Sequence, residues 1–409
     1  MKQENKNQIF LAACLALIVT SMTFAIRAGI LTQLGIDFNI SNKELGWINS
    51  MAFLGFPLAM IVGGLLYNSL GAKKLLIVAF VCHLVGLLMT IFAGGFWTLI
   101  ISTFFIGFAN GSVEAACNPM IAEMYTNNRT AMLNKFHVWF PGGLVIGALV
   151  TKFLTDAGMG WQTLIATMFI PTLIYGYLVF TKEFPQNKSA ESNTANNIKA
   201  LANPLFFFIM VCMTLTAVSE FIPQQWVETI LRSSGASPML VLALVTGIMA
   251  LGRFFAGPIV HKLNPTGVLW MSAIITTVAI YFMSIADGSM IYAAAALFAL
   301  GVCYFWPTMI GFVSEYLPKT GALGMSLVGG AGMFATSMWN PVIGSWLDAE
   351  KETALASGLS EALADITAGK AVLGIVVYFP LALIILFGIL FFMRNKIEKN
   401  RVHSIDIAE

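Results

Sequence analysis

Charge is what this sequence has least of. Only 10% of its 409 residues are Asp, Glu, Lys or Arg, against roughly a quarter in an ordinary soluble domain. So few charges cannot cover the surface of a water-soluble protein of this size, and lipid must be the solvent for most of it. A strong net charge is missing too. The balance is +2, with no basic run long enough to bind nucleic acid. Cysteine is sparse: Cys14, Cys82, Cys117, Cys212 and Cys303 all sit in apolar stretches without CxxC spacing, and read as reduced packing residues. There is no GxxxxGK loop, no nucleophile–base set and no metal-ligand cluster. Enzyme chemistry, a cofactor and a metal site are therefore not expected. The apolar run after Met1-Lys2 continues past any small-residue cleavage site, so it reads as a first span rather than a removed signal peptide.

What is present is apolar sequence, 58% of the chain. A bilayer core of about 30 Å takes roughly 20 apolar residues. That ruler gives spans near 8–34, 45–68, 75–95, 97–124, 131–154 and 161–181, then 203–231, 238–262, 266–286, 288–314, 321–346 and 371–394. Gly94-Gly95 and the interfacial Trp97 separate the third span from the fourth. With both termini inside, fifteen Lys and Arg fall in cytoplasmic loops and five outside, while Arg27 and Arg253 lie within spans. An odd number of spans would destroy this bias, so charge supports twelve independently of hydropathy. The expected location is a bacterial inner membrane, multi-pass, with cytoplasmic termini.

The polar stretch 182–202 divides the spans into six and six. We take 1–185 as an N-terminal half, 186–200 as a cytoplasmic linker and 201–409 as a C-terminal half. Residues 348–370 read as a short amphipathic helix on the outer face. The halves echo each other: Gly64 and Gly257 are each followed four residues later by a polar residue, Asn68 or His261, at a turn closed by Lys73-Lys74 or Lys262. Two six-span halves around a cavity is a transporter plan.

Three segments carry a resemblance. Residues 64–74, GLLYNSLGAKK, resemble the loop signature G-x-x-x-D-R/K-x-G-R/K-R/K of the major facilitator superfamily, with Asn68 in place of Asp and Ser69 in place of the base. Glu114-Ala115-Ala116-Cys117-Asn118-Pro119 is similar to the E-T/A-A-A-N-P element of the fucose–proton symporter family. The stretch from Leu133 to Gly143, LNKFHVWFPGG, is similar to that family's L-N-x-x-Q-x-F-N-P-x-G, with His137 at the Gln position. The resemblance implies an all-α major facilitator fold of twelve helices, sugar import coupled to protons, and Glu114 and His137 at one site. It also implies that Asn68 and Lys73 belong to a gating loop. One departure stands out: the family carries an acid in its first span, and here none occurs between Glu4 and Asp37.

Ionisable groups at membrane depth are costly and usually face a cavity. Asn110, Glu114 and Asn118 lie at spacing four in span four, and Thr216, Glu220 and Gln224 do the same in span seven. Each half thus has a polar stripe centred on a glutamate, and we expect Glu114 and Glu220 to carry protons. His137 is expected to relay to Glu114; His83, with no polar neighbour at helical spacing, reads as structural. Arg27 shares a face with Thr20 and Thr23 and is expected to reach Glu220 across the halves. Arg253 and Glu315 are read as a gate pair near the cytoplasmic ends of spans eight and ten. Trp306-Pro307, Asn340-Pro341 and Pro141-Gly142-Gly143 mark expected helix breaks lining the cavity, with Trp139, Trp226, Trp306 and Trp339 available to stack on a sugar. The Gly-rich stretch 324–332 reads as a close-packing surface. The expected partners are a small polar solute, preferably a sugar, protons and the lipid bilayer, with the protein acting as a monomer. An organic anion held by Arg27 is the alternative, and a non-transporting sensor a third.

Overall fold

A computed structural model describes residues 3–125, 132, 135–185 and 198–397. Its described residues form helices and no strand, as lipid demands, since a helix satisfies its own backbone. Among the described residues ten helices are long and apolar enough to cross a membrane: α1 (Glu4–Phe38), α2 (Asn42–Tyr67), α3 (Ser69–Ile91), α4 (Phe96–Ile121), α5 (Lys135–Asp156), α6 (Trp161–Thr181), α7 (Pro204–Gln225), α9 (Leu263–Ile285), α10 (Met290–Val313) and α12 (Glu361–Phe392). Two more complete the twelve, α8 (Pro238–Phe254) and α11 (Gly321–Ala356). An even number of crossings puts both chain ends on one face, the terminal face; the other is the far face.

The repeated loop has a shared geometry. Seven residues after each motif glycine the chain takes a left-handed conformation, at Gly71 (φ 72°) between α2 and α3, and at Asn264 (φ 52°) before α9. Glycine adopts a positive φ freely, and at Asn264 the side chain holds the backbone there through its own bonds. Asn264 accepts from Gly267 N (3.1 Å) and the Thr266 hydroxyl (2.7 Å), capping the helix it begins. The side chain of Asn68 and residues Leu133 and Asn134 lie outside the described residues. Lys73 donates to the carbonyls of Lys182 (3.1 Å) and Phe180 (3.5 Å) at the end of α6, so it ties the loop to its own half.

The expected amphipathic helix over 348–370 is corrected. Residues 348–356 prolong α11 and Glu361 opens α12, with a turn at Gly358 (φ 88°). At 36 residues, α11 is about 54 Å long, well beyond the bilayer core. The projecting turns are held by Lys351, which pairs with Asp365 (2.8 Å) and Glu361 (3.5 Å). At Asn340-Pro341 the expected break is also absent: α11 runs through it as one helix.

The halves meet chiefly through α2 against α11 and α5 against α8. Close approach depends on glycine. A side chain on Gly46 would meet the backbone of Asn340, one on Gly344 that of Asn42, and one on Gly107 that of Ala52, each well inside contact distance. Gly46 and Gly344 face the other half, whereas Gly107 packs α4 on α2 within its own half. Gly107→Val should therefore lower the melting temperature, by the equivalent of about 1–3 kcal/mol of overpacking. Gly344→Val should leave the melt near wild type yet speed labelling of a far-face reporter cysteine at Thr32. Equal effects of the two substitutions on melt and labelling would show that the halves do not move apart as units.

Candidate functional site

Among the described residues, polar side chains inside the membrane gather in three groups and one further buried chain around His83. The first closes the far side. Arg27 of α1 is 6% exposed, and its Nε donates to Asn49 Oδ1 of α2 (2.6 Å). One terminal nitrogen donates to Gln225 Oε1 at the end of α7 (3.0 Å). The guanidinium carbon also lies 5.0 Å from the Phe24 ring centre and 5.7 Å from that of Phe53. Asn49 Nδ2 donates to Asn340 Oδ1 of α11 (2.8 Å), which also accepts from the Trp226 indole (2.9 Å). Asn340 completes itself by donating to the Thr336 carbonyl (2.8 Å). Three further links join the halves nearby: Ser337 to the Ser50 carbonyl (2.8 Å), Thr32 to Thr229 (3.3 Å), and Asp348 to the first amides of α2. In that last contact Asp348 accepts from Asn42 N (3.1 Å) and Lys43 N (2.9 Å), so a carboxylate from one half caps a helix of the other.

Arg27 and Glu220, expected to meet, are not joined. The second group explains why. Glu220 pairs with Arg253 of α8 (3.3 Å), whose Nε donates to the Cys303 carbonyl at the break in α10 (3.0 Å). Arg253 lies in the last turn of α8, eleven residues before the turn at Asn264. Its described carboxylate partner is Glu220; the Glu315 side chain, the other member of the expected gate pair, lies outside the described residues. Gln224 turns back to donate to the Glu220 carbonyl (2.9 Å).

The third group lies toward the terminal face. Asn118 Nδ2 donates to Glu114 Oε2 (2.7 Å), and His137 Nε2 lies 3.0 Å from Asn118 Oδ1. Since that oxygen only accepts, His137 carries its proton on Nε2. Glu114 and His137 are thus connected through Asn118. Asn110, the third member of the expected stripe, belongs elsewhere: it donates to Thr23 (3.0 Å) and accepts from His83 Nε2 (2.9 Å). His83 Nδ1 lies 2.9 Å from the Tyr175 hydroxyl. Four helices of the first half are tied by this buried chain, consistent with a structural His83.

Of the aromatics, Trp139 is 40% exposed at the start of α5 and Trp306 is half-buried against Phe221, with ring centres 5.8 Å apart. Trp226 is buried in the far-side network, while Trp339 packs on Trp346 and Phe379 within its own half. Asn49 and Gln225 were not anticipated. The signal for Asn49 was a lone amide in an otherwise apolar span, at the depth of Arg27.

A model of the Major Facilitator Superfamily matches residues 13–340. The Bacillus subtilis protein named for niacin/nicotinamide transport is 22% identical, over 73% of this chain and 78% of its own length. The cis,cis-muconate transport protein of Acinetobacter baylyi is 25% identical, over 62% and 66% respectively. In fold, the crystal structure of a bacterial homologue of the human lysosomal transporter Spinster superposes with a TM-score of 0.78 at 14% identity, covering 98% of this chain and 99% of that one.

Asn340→Ala would strand the Trp226 indole N–H and an Asn49 amide proton in a buried site. That should cost the far-side-closed state about 2 kcal/mol or more and widen the far-face distance between spin labels on the two halves. Thr336→Ala, which removes only a bond within one helix turn, should leave that distance unchanged.

Proposed function

Since the chain belongs to the Major Facilitator Superfamily, we propose that it carries a small organic anion across the membrane by alternating access, with Arg27 as the counter-charge. One observation carries the reading: Arg27 is buried, and its described partners are two amide oxygens and two rings, with no carboxylate among them. A desolvated charge without an opposite one is held at a cost of several kcal/mol. A solute carboxylate arriving from the far side removes that cost. Opening that side separates Arg27 from Gln225, which sits on the other half, and frees a terminal nitrogen for the incoming anion. One relative lends support, because muconate is a dicarboxylate.

In this reading residues 1–185 and 201–409 rock about the linker 186–200. The terminal face, richer in Lys and Arg, is cytoplasmic in a bacterial inner membrane, and the protein works as a monomer. Protons couple through Glu220. When that carboxylate is neutral its hold on Arg253 weakens, which releases the α7–α8 contact inside the second half. Glu114, linked through Asn118 to the exposed His137, offers a second proton site near the terminal face.

A second reading, import of a neutral sugar with protons, is favoured by that Glu114–Asn118–His137 chain, which falls on the segments resembling the fucose–proton symporters. Arg27 separates the two. Arg27→Gln should weaken carboxylates by about 2 kcal/mol, roughly 30-fold, through loss of a charge-assisted bond, and leave the matching amides almost unchanged in a thermal-shift titration. Tight sugar binding that ignores Arg27→Gln would establish the sugar reading instead.

Coupling has its own test. Glu220→Gln should abolish uphill accumulation into proteoliposomes while counterflow of pre-loaded solute continues. If uphill accumulation survives, Glu220 is not the proton carrier.

A further inference from the structure

A line of rings runs beneath Arg27 from one half to the other. Phe24 and Phe53 lie 5.2 Å apart between centres, Phe53 and Phe221 5.8 Å, and Phe221 and Trp306 5.8 Å. Phe53 belongs to α2 and Phe221 to α7, so their contact crosses between the halves, as the Arg27–Gln225 bond does. Phe24 and Phe53 are also the two rings that flank the guanidinium. Any far-side opening that separates Arg27 from Gln225 pulls Phe53 from Phe221 in the same motion. It bares two rings set edge-to-face, their planes 62° apart, one of them beside the Arg27 cation.

From this juxtaposition we infer that the solute is a planar, conjugated carboxylate, with its acid group on Arg27 and its π-system between Phe53 and Phe221. The inference rests on the anion reading of Arg27 and adds the shape and chemistry of the rest of the solute. Ring atoms attract a flat π-face through offset or edge-on contact, and they give nothing to a hydroxyl. A sugar acid placed there would bury several hydroxyls without partners, each desolvated at a loss. A saturated ring would fill the volume but forgo the aromatic geometry. The rings then have two uses. They close the far side against each other when no solute is present, and they select the solute when it is.

Full-length purified protein should be titrated with benzoate, cyclohexanecarboxylate and gluconate, as wild type and as Phe53→Leu, Phe221→Leu and Arg27→Gln. Benzoate is expected to bind about tenfold more tightly than cyclohexanecarboxylate, and gluconate most weakly. Either Phe→Leu change should collapse the benzoate preference to about twofold by removing one aromatic face, while Arg27→Gln weakens both ring acids alike. Two variants on opposite halves guard against one failing to fold, and a melt recorded for each confirms the native state. Equal binding of benzoate and cyclohexanecarboxylate, both lost in Arg27→Gln, would overturn the planar solute and leave the anion reading standing. Indifference of every acid to Arg27→Gln would overturn both.

Discussion

A guanidinium buried among neutral groups is the constraint around which the rest of this molecule is arranged. Lipid supplies no hydrogen bonds, so Arg27 must be satisfied by protein. The groups that do so, Asn49 and Gln225, come from different halves. Asn49 in turn needs Asn340, and Asn340 takes the Trp226 indole as well. Satisfying one charge thus draws four helices together on the far side. The tight α2–α11 crossing at Gly46 and Gly344 follows, because only glycine lets the backbones come close enough for those short amides to reach.

The second arginine has a different environment. Arg253 has Glu220 beside it and a helix-break carbonyl below it, so its charge is balanced within one half. It needs nothing from the other half and nothing from a solute. Arg27, by contrast, bonds across to Gln225 on the other half. Under the proposed function, position relative to the boundary between the halves separates a coupling pair from a solute-binding charge, although both arginines look alike as isolated ions in apolar spans.

Much of the architecture was legible because lipid imposes a length and a composition on every span. Twelve crossings, the Gly94-Gly95 break and the bias of Lys and Arg could all be read residue by residue. So could the Glu114–Asn118–His137 grouping, because two short segments carried it. Pairing across helices was not legible. Spacing along α4 put Asn110 with Glu114, yet Asn110 bonds His83 and Thr23 on neighbouring helices. Depth alone suggested Glu220 for Arg27, but depth says nothing about azimuth, and the α7 stripe faces Arg253 at that height. Asn49 and Gln225 escaped notice because uncharged amides cost less in lipid than ions and so draw less suspicion. The over-long α11 was hidden for the opposite reason. Ala-rich, charged sequence after Asp348 looks amphipathic, whereas it merely continues a good helix into water.

The strength of the far-side closure bears on how such a molecule can cycle. Its cross-half links are ordinary hydrogen bonds between neutral groups, apart from Arg27 to Gln225 and the Asp348 carboxylate on the α2 amides. Bonds of that kind contribute about 1 kcal/mol each net of water, and somewhat more where one partner is charged. Together they amount to several kcal/mol, and opening also exposes the Phe53–Phe221 contact. Turning a two-state equilibrium from one side to the other takes about 5.5 kcal/mol of differential affinity, which is the same order. A closure built from ion pairs buried on both sides would be far harder to open once partners were desolvated. One built only from apolar contacts would give a solute nothing to compete for. A lone arginine held by exchangeable amides lies between those limits: under the proposed function an anion would replace what the closing half supplied, and the closed and solute-bound states would remain close enough in free energy to interconvert.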